Sequence, residues 1–224
     1  MLERLHLPGL GGWSEDPLWA TIYDWSVEHP RVGGAFWKVG VNSDLRRLYA
    51  AAAEIGRQPA GSAVLDVPCG GGVALRGLRP GQGIRYVAAD ISQQMLDKAM
   101  AAARARGVAG QVETALCDVG AMPFQAGEFD LVVSFTGLHC FPDPHRAVLE
   151  MGRVTSSGGV ITGSALLSDS GLRFEPIRRI GRLAGLLGRS ASRHEVREWL
   201  VEAGFADITL DLSGAIGYFR AVKD

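Results

Sequence analysis

From residue 62 onward, short apolar runs alternate with longer stretches in which apolar residues recur at helical spacing. The short runs are SAVLDV (62–67), IRYVAA (84–89), QVETAL (111–116), FDLVVSF (129–135) and GVITGSAL (159–166), each ending near a Gly, Asp or Ser that can turn the chain. They read as strands. Between them, SQQMLDKAMAAARARG sets Met95, Ala99, Met100 and Ala103 on one face, with Ser92 as its N-cap and Gly107 as its stop. DPHRAVLEMGRV (143–154) places Asp143 at a cap and Pro144 at the first helical position, where a missing N–H costs nothing. SRHEVREWLVEAGF has Ser192 and Glu195 at capping-box spacing, Val196, Trp199, Leu200 and Ala203 on one stripe, and Gly204 as the stop. ADITLDL (206–212) and AIGYFRAV (215–222) flank Ser213-Gly214, which predicts an antiparallel hairpin. This alternation predicts a doubly wound α/β fold with a mainly parallel sheet covered by helices on both faces.

Two segments stand outside the alternation in what reads as one domain over 1–224. Residues 1–50 hold Trp13, Trp19, Trp25 and Trp37 together with Tyr23, Phe36 and Tyr49. They read either as ordinary core or as an aromatic helical lid over a substrate, with Trp19 and Tyr23 as its substrate-binding pair. Residues 168–193 read as a basic amphipathic helical insertion, with Leu172, Phe174, Ile177, Ile180, Leu183 and Leu187 interleaved with arginines. A solvated arginine face over a buried apolar face accounts for that pattern. Peripheral contact of 171–190 with a membrane surface or anionic lipid is the sharper alternative.

Composition narrows the partners. At 47% hydrophobic and 21% charged residues with a net charge of -1, the chain lacks the basic excess expected of a nucleic-acid binder. Its three cysteines, an odd number without paired metal spacing, suit a reducing, cytoplasmic setting, and no metal is expected. MLERLHLPGLGGW lacks the continuous apolar core of a signal peptide, and no apolar run is long enough to span a bilayer.

The candidate chemistry sits at the strand ends, where open α/β sheets bind ligands. Asp66 interrupts an apolar strand, a costly place for a carboxylate unless something donates to it. Asp90 ends the second strand, where an acid can accept from both hydroxyls of a ribose, as NAD and other adenosine cofactors require. Gly70, Gly71 and Gly72 are contiguous, which does not match the G-x-G-x-x-G of a pyrophosphate cradle. An acid inside the first strand would repel a pyrophosphate, yet it is tolerable beside a cationic, phosphate-free ligand. S-adenosylmethionine meets that description.

VLDVPCGGG, YVAADISQQMLDKA and LCDVGAMPFQAGEFDLVVSFTGLHCFPDPHRAVLEMGRVTSSGGV, in that order, resemble the class I S-adenosylmethionine-dependent methyltransferases, in their small-molecule, quinone-type branch. The resemblance covers about residues 45–222, with departures at Pro68, Gly71 and RVTSSGG. It implies a Rossmann-like seven-stranded sheet ending in the antiparallel hairpin. It also implies Asp66, Gly70 and Gly72 around the cofactor's methionine end, Asp90 on the ribose hydroxyls and Asp118 on the adenine amino group. Ile91 and Val119 would pack on the adenine faces, and backbone near Ser134 and Phe135 would meet the methionine ammonium. The implied reaction is methyl transfer to a hydrophobic small molecule of the aromatic, quinone-like, polyketide or lipid-like kind. His139, just beyond the fourth strand, is the candidate catalytic base and substrate contact; the alternative is a histidine that packs or caps locally. Two other functions stay open, an NAD-type oxidoreductase and a non-catalytic S-adenosylmethionine-binding interaction protein.

Overall fold

The computed structural model describes residues 37, 38, 40–183 and 187–224. The aromatic residues Trp13, Trp19, Tyr23, Trp25 and Phe36 lie outside these, and with them the lid and substrate roles expected of Trp19 and Tyr23. In chain order the main elements are α1 (Leu45–Ala52), β1 (Ala63–Asp66), β2 (Arg85–Asp90), α2 (Gln93–Ala105), β3 (Val112–Leu116), β4 (Phe129–Phe135), α3 (Pro144–Val154), β5 (Thr155–Leu166), α4 (Glu175–Leu183), α5 (Arg193–Glu202), β6 (Phe205–Ser213) and β7 (Ile216–Lys223).

The strands form one seven-stranded sheet in the order β3-β2-β1-β4-β5-β7-β6. The first five are parallel, and β7 runs antiparallel between β5 and β6. The C-terminal hairpin is therefore present, but its second strand is inserted beside β5. Strand order reverses between β1 and β4, so their carboxyl ends flank a crevice of the kind in which open α/β sheets bind ligands.

Alternation along each strand builds two cores. Val64, Tyr86, Ala88, Leu131, Val133 and Phe135 face one side with Leu45, Leu48 and Ala52 of α1 and Leu96, Ala99 and Ala103 of α2. Leu65, Val87, Ala89 and Val132 face the other, against Ala147, Val148 and Met151 of α3 and Val196, Trp199 and Leu200 of α5. Near-continuous burial on both faces is what parallel strands require.

Helix starts follow local chemistry. Asp143 accepts the Arg146 N–H at 3.0 Å, and Ser192 with Glu195 forms a complete capping box. Ser92 occupies the N-cap of α2, yet its side chain makes no capping bond. Asp90 takes that duty, accepting the Ser92 N–H at 2.9 Å.

Segment 168–193 departs most from expectation. A short 3-10 turn, Leu172–Phe174, leads into the nine-residue α4, and residues 187–192 are not helical. The fully buried residue of α4 is Arg178, while Leu172, Ile180 and Leu183 are exposed. A solvated arginine face over a buried apolar face is thus not what forms. The segment's ends are tied down: Ser168 donates to the Ala191 carbonyl, and Gly188 donates to that of His139 in the loop after β4.

Candidate active site

Asp66 lies at the end of β1, side by side with Ala88 of β2 and Val133 of β4. Its side chain is almost fully buried, and the phenol of Tyr86 donates to its Oδ2 at 2.6 Å. Burial pushes the Asp66 carboxyl up to about 7; the Tyr86 hydrogen bond opposes this and nearby Asp90 reinforces it. Tyr86, itself buried beside that acid, is held well above its ordinary range and so remains a donor.

The glycine loop continues from β1 under backbone restraint. Val67 N–H donates to the Val133 carbonyl and Cys69 N–H to that of Ala89, which ties the loop to β4 on one side and β2 on the other. Gly70 then adopts φ +49° and donates its N–H to Asp90 Oδ2 at 3.0 Å. A Cβ at Gly70 would meet nothing within 4 Å, so its backbone borders open space. Gly72, at φ +88°, is glycine for a packing reason: a Cβ there would come within 2.7 Å of Leu75 and 3.2 Å of the Ala99 backbone. The loop runs into a 3-10 turn, Val73–Gly77, rather than the α-helix on whose N-terminus a dinucleotide's pyrophosphate rests.

Asp90 thus accepts from backbone donors, Gly70 to Oδ2 and Ser92 to Oδ1 with Ile91 as a further one, and its burial raises its pKa despite them. A carboxylate offers about four acceptor sites, so acceptor capacity remains. Ile91, directly after it, is 70% exposed, and Leu116, opposite Asp90 on β3, is 59% exposed. Asp118 is exposed, caps a short turn by accepting the Gly120 N–H at 2.8 Å, and has no other partner among the described residues. Val119 turns into the core beneath and offers little surface.

At the end of β4, Ser134 and Phe135 are buried, and the Ser134 hydroxyl has no hydrogen-bond partner among the described residues. Thr136 follows with φ +55°, an uncommon backbone for a β-branched residue. Its N–H donates to the Ser164 carbonyl and its hydroxyl to that of Phe135. A Cβ on Gly137 would come within 2.3 Å of Pro68, so the loops after β1 and β4 touch here.

Residues 65–162 match a methyltransferase domain family. An uncharacterized chloroplastic methyltransferase of Arabidopsis thaliana is 31% identical over 123 residues, 53% of this chain and 35% of that protein. A ubiquinone/menaquinone biosynthesis C-methyltransferase of Xylella fastidiosa is 31% identical over 167 residues, covering 70% of this chain and 64% of that one. In fold, a Haemonchus contortus phosphoethanolamine N-methyltransferase in complex with phosphomonomethylethanolamine and S-adenosylhomocysteine superposes with a TM-score of 0.71. That structure is 17% identical, and the alignment covers 91% of this chain and 56% of the other. These matches support a class I S-adenosylmethionine-dependent methyltransferase. The chain spans about a third of the length of the plant relative.

The strand ends of this methyltransferase fit the family's cofactor. Two buried carboxyl groups suit a sulfonium cation and a ribose, exposed apolar side chains suit a purine, and the backbone at Gly70 opens onto free space. Asp66, Gly70, Gly72, Asp90, Ile91, Asp118, Ser134 and Phe135 all gather at the carboxyl ends of adjacent strands, or one to six residues beyond them. Sequence reasoning missed Tyr86 and Thr136. Tyr86 was findable, since a buried acid needs a donor and Tyr86 lies on the same face of the adjacent strand, two residues before Ala88, the partner of Asp66. Thr136 carries no signal in its residue type.

His139 does not have the state expected of a base. It is buried in the loop after β4, and its Nδ1 accepts the Leu166 N–H at 3.1 Å. A neutral imidazole that accepts at Nδ1 carries its proton on Nε2, and burial pushes the ring's pKa down to about 4. At neutral pH such a ring holds β5 against the loop and does not take up a second proton.

Two outcomes follow from these groups. Asp66 titrates at about 7 in the fold against its ordinary 3.8, so its contribution to stability is fully present below pH 3.8 and lost as pH rises through about 7. Denaturation midpoints measured from pH 4 to 8 without cofactor should therefore fall more steeply for the parent than for Asp66→Asn; parallel curves would contradict the assignment. His139→Ala leaves the Leu166 N–H without its acceptor and should cost about 1–3 kcal/mol in urea unfolding.

Proposed function

We propose that this protein transfers the S-adenosylmethionine methyl group to a hydrophobic small molecule of the aromatic, quinone-like, polyketide or lipid-like kind. The observation that carries the reading is the set of strand-end acids around a glycine loop that opens onto free space and leads into no α-helix. Likeness to a ubiquinone/menaquinone C-methyltransferase supports the acceptor class.

When bound, the cofactor supplies an activated methyl electrophile. Asp66, once ionised, would offset the positive charge at the methionine end. Asp90 would accept the ribose hydroxyls with the acceptor capacity that its backbone donors leave over. Asp118 would accept from the adenine amino group on its free oxygen, with Ile91 against the ring and Leu116 as a second apolar neighbour. Backbone from Ser134 to Thr136 would line the methionine ammonium. With His139 Nδ1 already accepting the Leu166 N–H, catalysis rests on alignment and exclusion of water. That favours an acceptor which ionises by itself, such as a phenol that lends electron density to its own ring carbon, or one that loses its proton after attack.

Asp90→Ala removes charge-assisted contacts worth about 1.5–3 kcal/mol each, and calorimetric titration should show S-adenosylmethionine bound at least tenfold more weakly. A cation beside Asp66 lowers its pKa, so the parent should release a proton on binding near pH 6 and bind more tightly as pH rises toward 7.5. Titrations in buffers of different ionisation enthalpy measure that proton, and Asp66→Asn should abolish it. Unaltered affinity in a folded Asp90→Ala protein would remove Asp90 from the site.

A further inference from the structure

Helix α4 buries an arginine and exposes aliphatic residues. Arg178 is only 2% exposed, and its guanidinium donates to the Leu167 carbonyl at 3.2 Å, the Ser170 hydroxyl at 3.0 Å, the Gly171 carbonyl at 3.1 Å and the Glu175 carboxylate at 2.9 Å. A buried cation with its donors satisfied in this way is strongly held, because rotating it away would strand those partners. Position two residues on lies about 200° around an α-helix. Locking Arg178 inward therefore turns Ile180 outward, and Leu183 shares the outward face one turn later.

The consequence is a run of exposed aliphatic side chains along this segment, an apolar ridge on α4 preceded by an exposed leucine. Leu172 is 90% exposed, Leu183 73% and Ile180 62%. Phe174 remains buried and Leu187 packs on the core, so the segment is anchored at both ends while its middle projects. Arg173, Arg179 and Arg182 are exposed in the same stretch, and Glu175, the one acid between 172 and 183, pairs with Arg178 and Arg182 and leaves the stretch with a positive excess. A chain with a net charge of -1 thus concentrates positive charge around its exposed aliphatic residues.

We propose that the exposed Leu172, Ile180 and Leu183, together with Arg173, Arg179 and Arg182 of the same segment, dock this protein on an anionic lipid surface. Aliphatic side chains enter the acyl boundary, while arginines extend along it to reach lipid phosphates. The contact is superficial, since no helix among the described residues is long and apolar enough to cross a membrane.

Flotation of the full chain with phosphatidylcholine vesicles, with and without phosphatidylglycerol, tests the proposal. Binding should require the anionic lipid and weaken at high salt. Ile180→Ser/Leu183→Ser and Arg179→Glu should each lower the bound fraction at least fivefold with the unfolding midpoint unchanged. Val201→Ser, which alters an equally exposed aliphatic residue on α5, should bind as the parent does. Equal binding to neutral vesicles, no binding to either, or full binding by the double variant would overturn the proposal. So would a dimer, seen by sedimentation, that the double variant dissolves in a protein without vesicle binding; that outcome would give the ridge to a second copy.

Discussion

A carboxyl group placed between two parallel strands is the constraint on which the rest of the site depends. Asp66 is buried in the sheet with Tyr86 donating to it, and it can exist comfortably in two ways only. Without a counter-charge it is driven toward its protonated form, as its pKa of about 7 records. With a cation nearby it can ionise and become an electrostatic anchor. Binding of a cation at this position would thus be coupled to ionisation of the carboxyl.

The loop above that acid is held by its neighbours more than by its own sequence. Backbone bonds tie it to β2 and β4, while Asp90 gathers the Gly70 N–H and the start of α2 into one carboxylate. The carboxylate that would hold the ribose is therefore also the one that fixes the start of α2. Any ligand hydrogen bond to Asp90 is made to an oxygen whose position the fold has already set, which limits the ordering cost of binding. At the far side of the crevice, His139 ties β5 to the loop after β4, and that loop touches Pro68.

α4 applies the same logic to a surface. Its outward face was decided by the four acceptors available to Arg178, not by the apolar pattern of the helix. Once Arg178 is buried, losing its acceptors in place would strand a charge, which costs more than leaving two or three aliphatic side chains exposed.

The sequence by itself determined the alternation of strands and helices, the helix caps at Asp143 and Ser192, the C-terminal hairpin and the acids at the strand ends. These are local properties: periodicity, turn chemistry and capping act over a few residues, and a methyltransferase reading followed from their order. Tertiary structure decided what depends on contacts across the chain. It inserted β7 beside β5, gave Asp66 its donor in Tyr86, handed the cap of α2 from Ser92 to Asp90, and made His139 an acceptor for a strand 27 residues away. It also turned Arg178 of α4 inward, since periodicity reports which residues share a face but not which face points inward. That choice belongs to whichever side finds partners for its polar groups, and those partners lie elsewhere in the sequence.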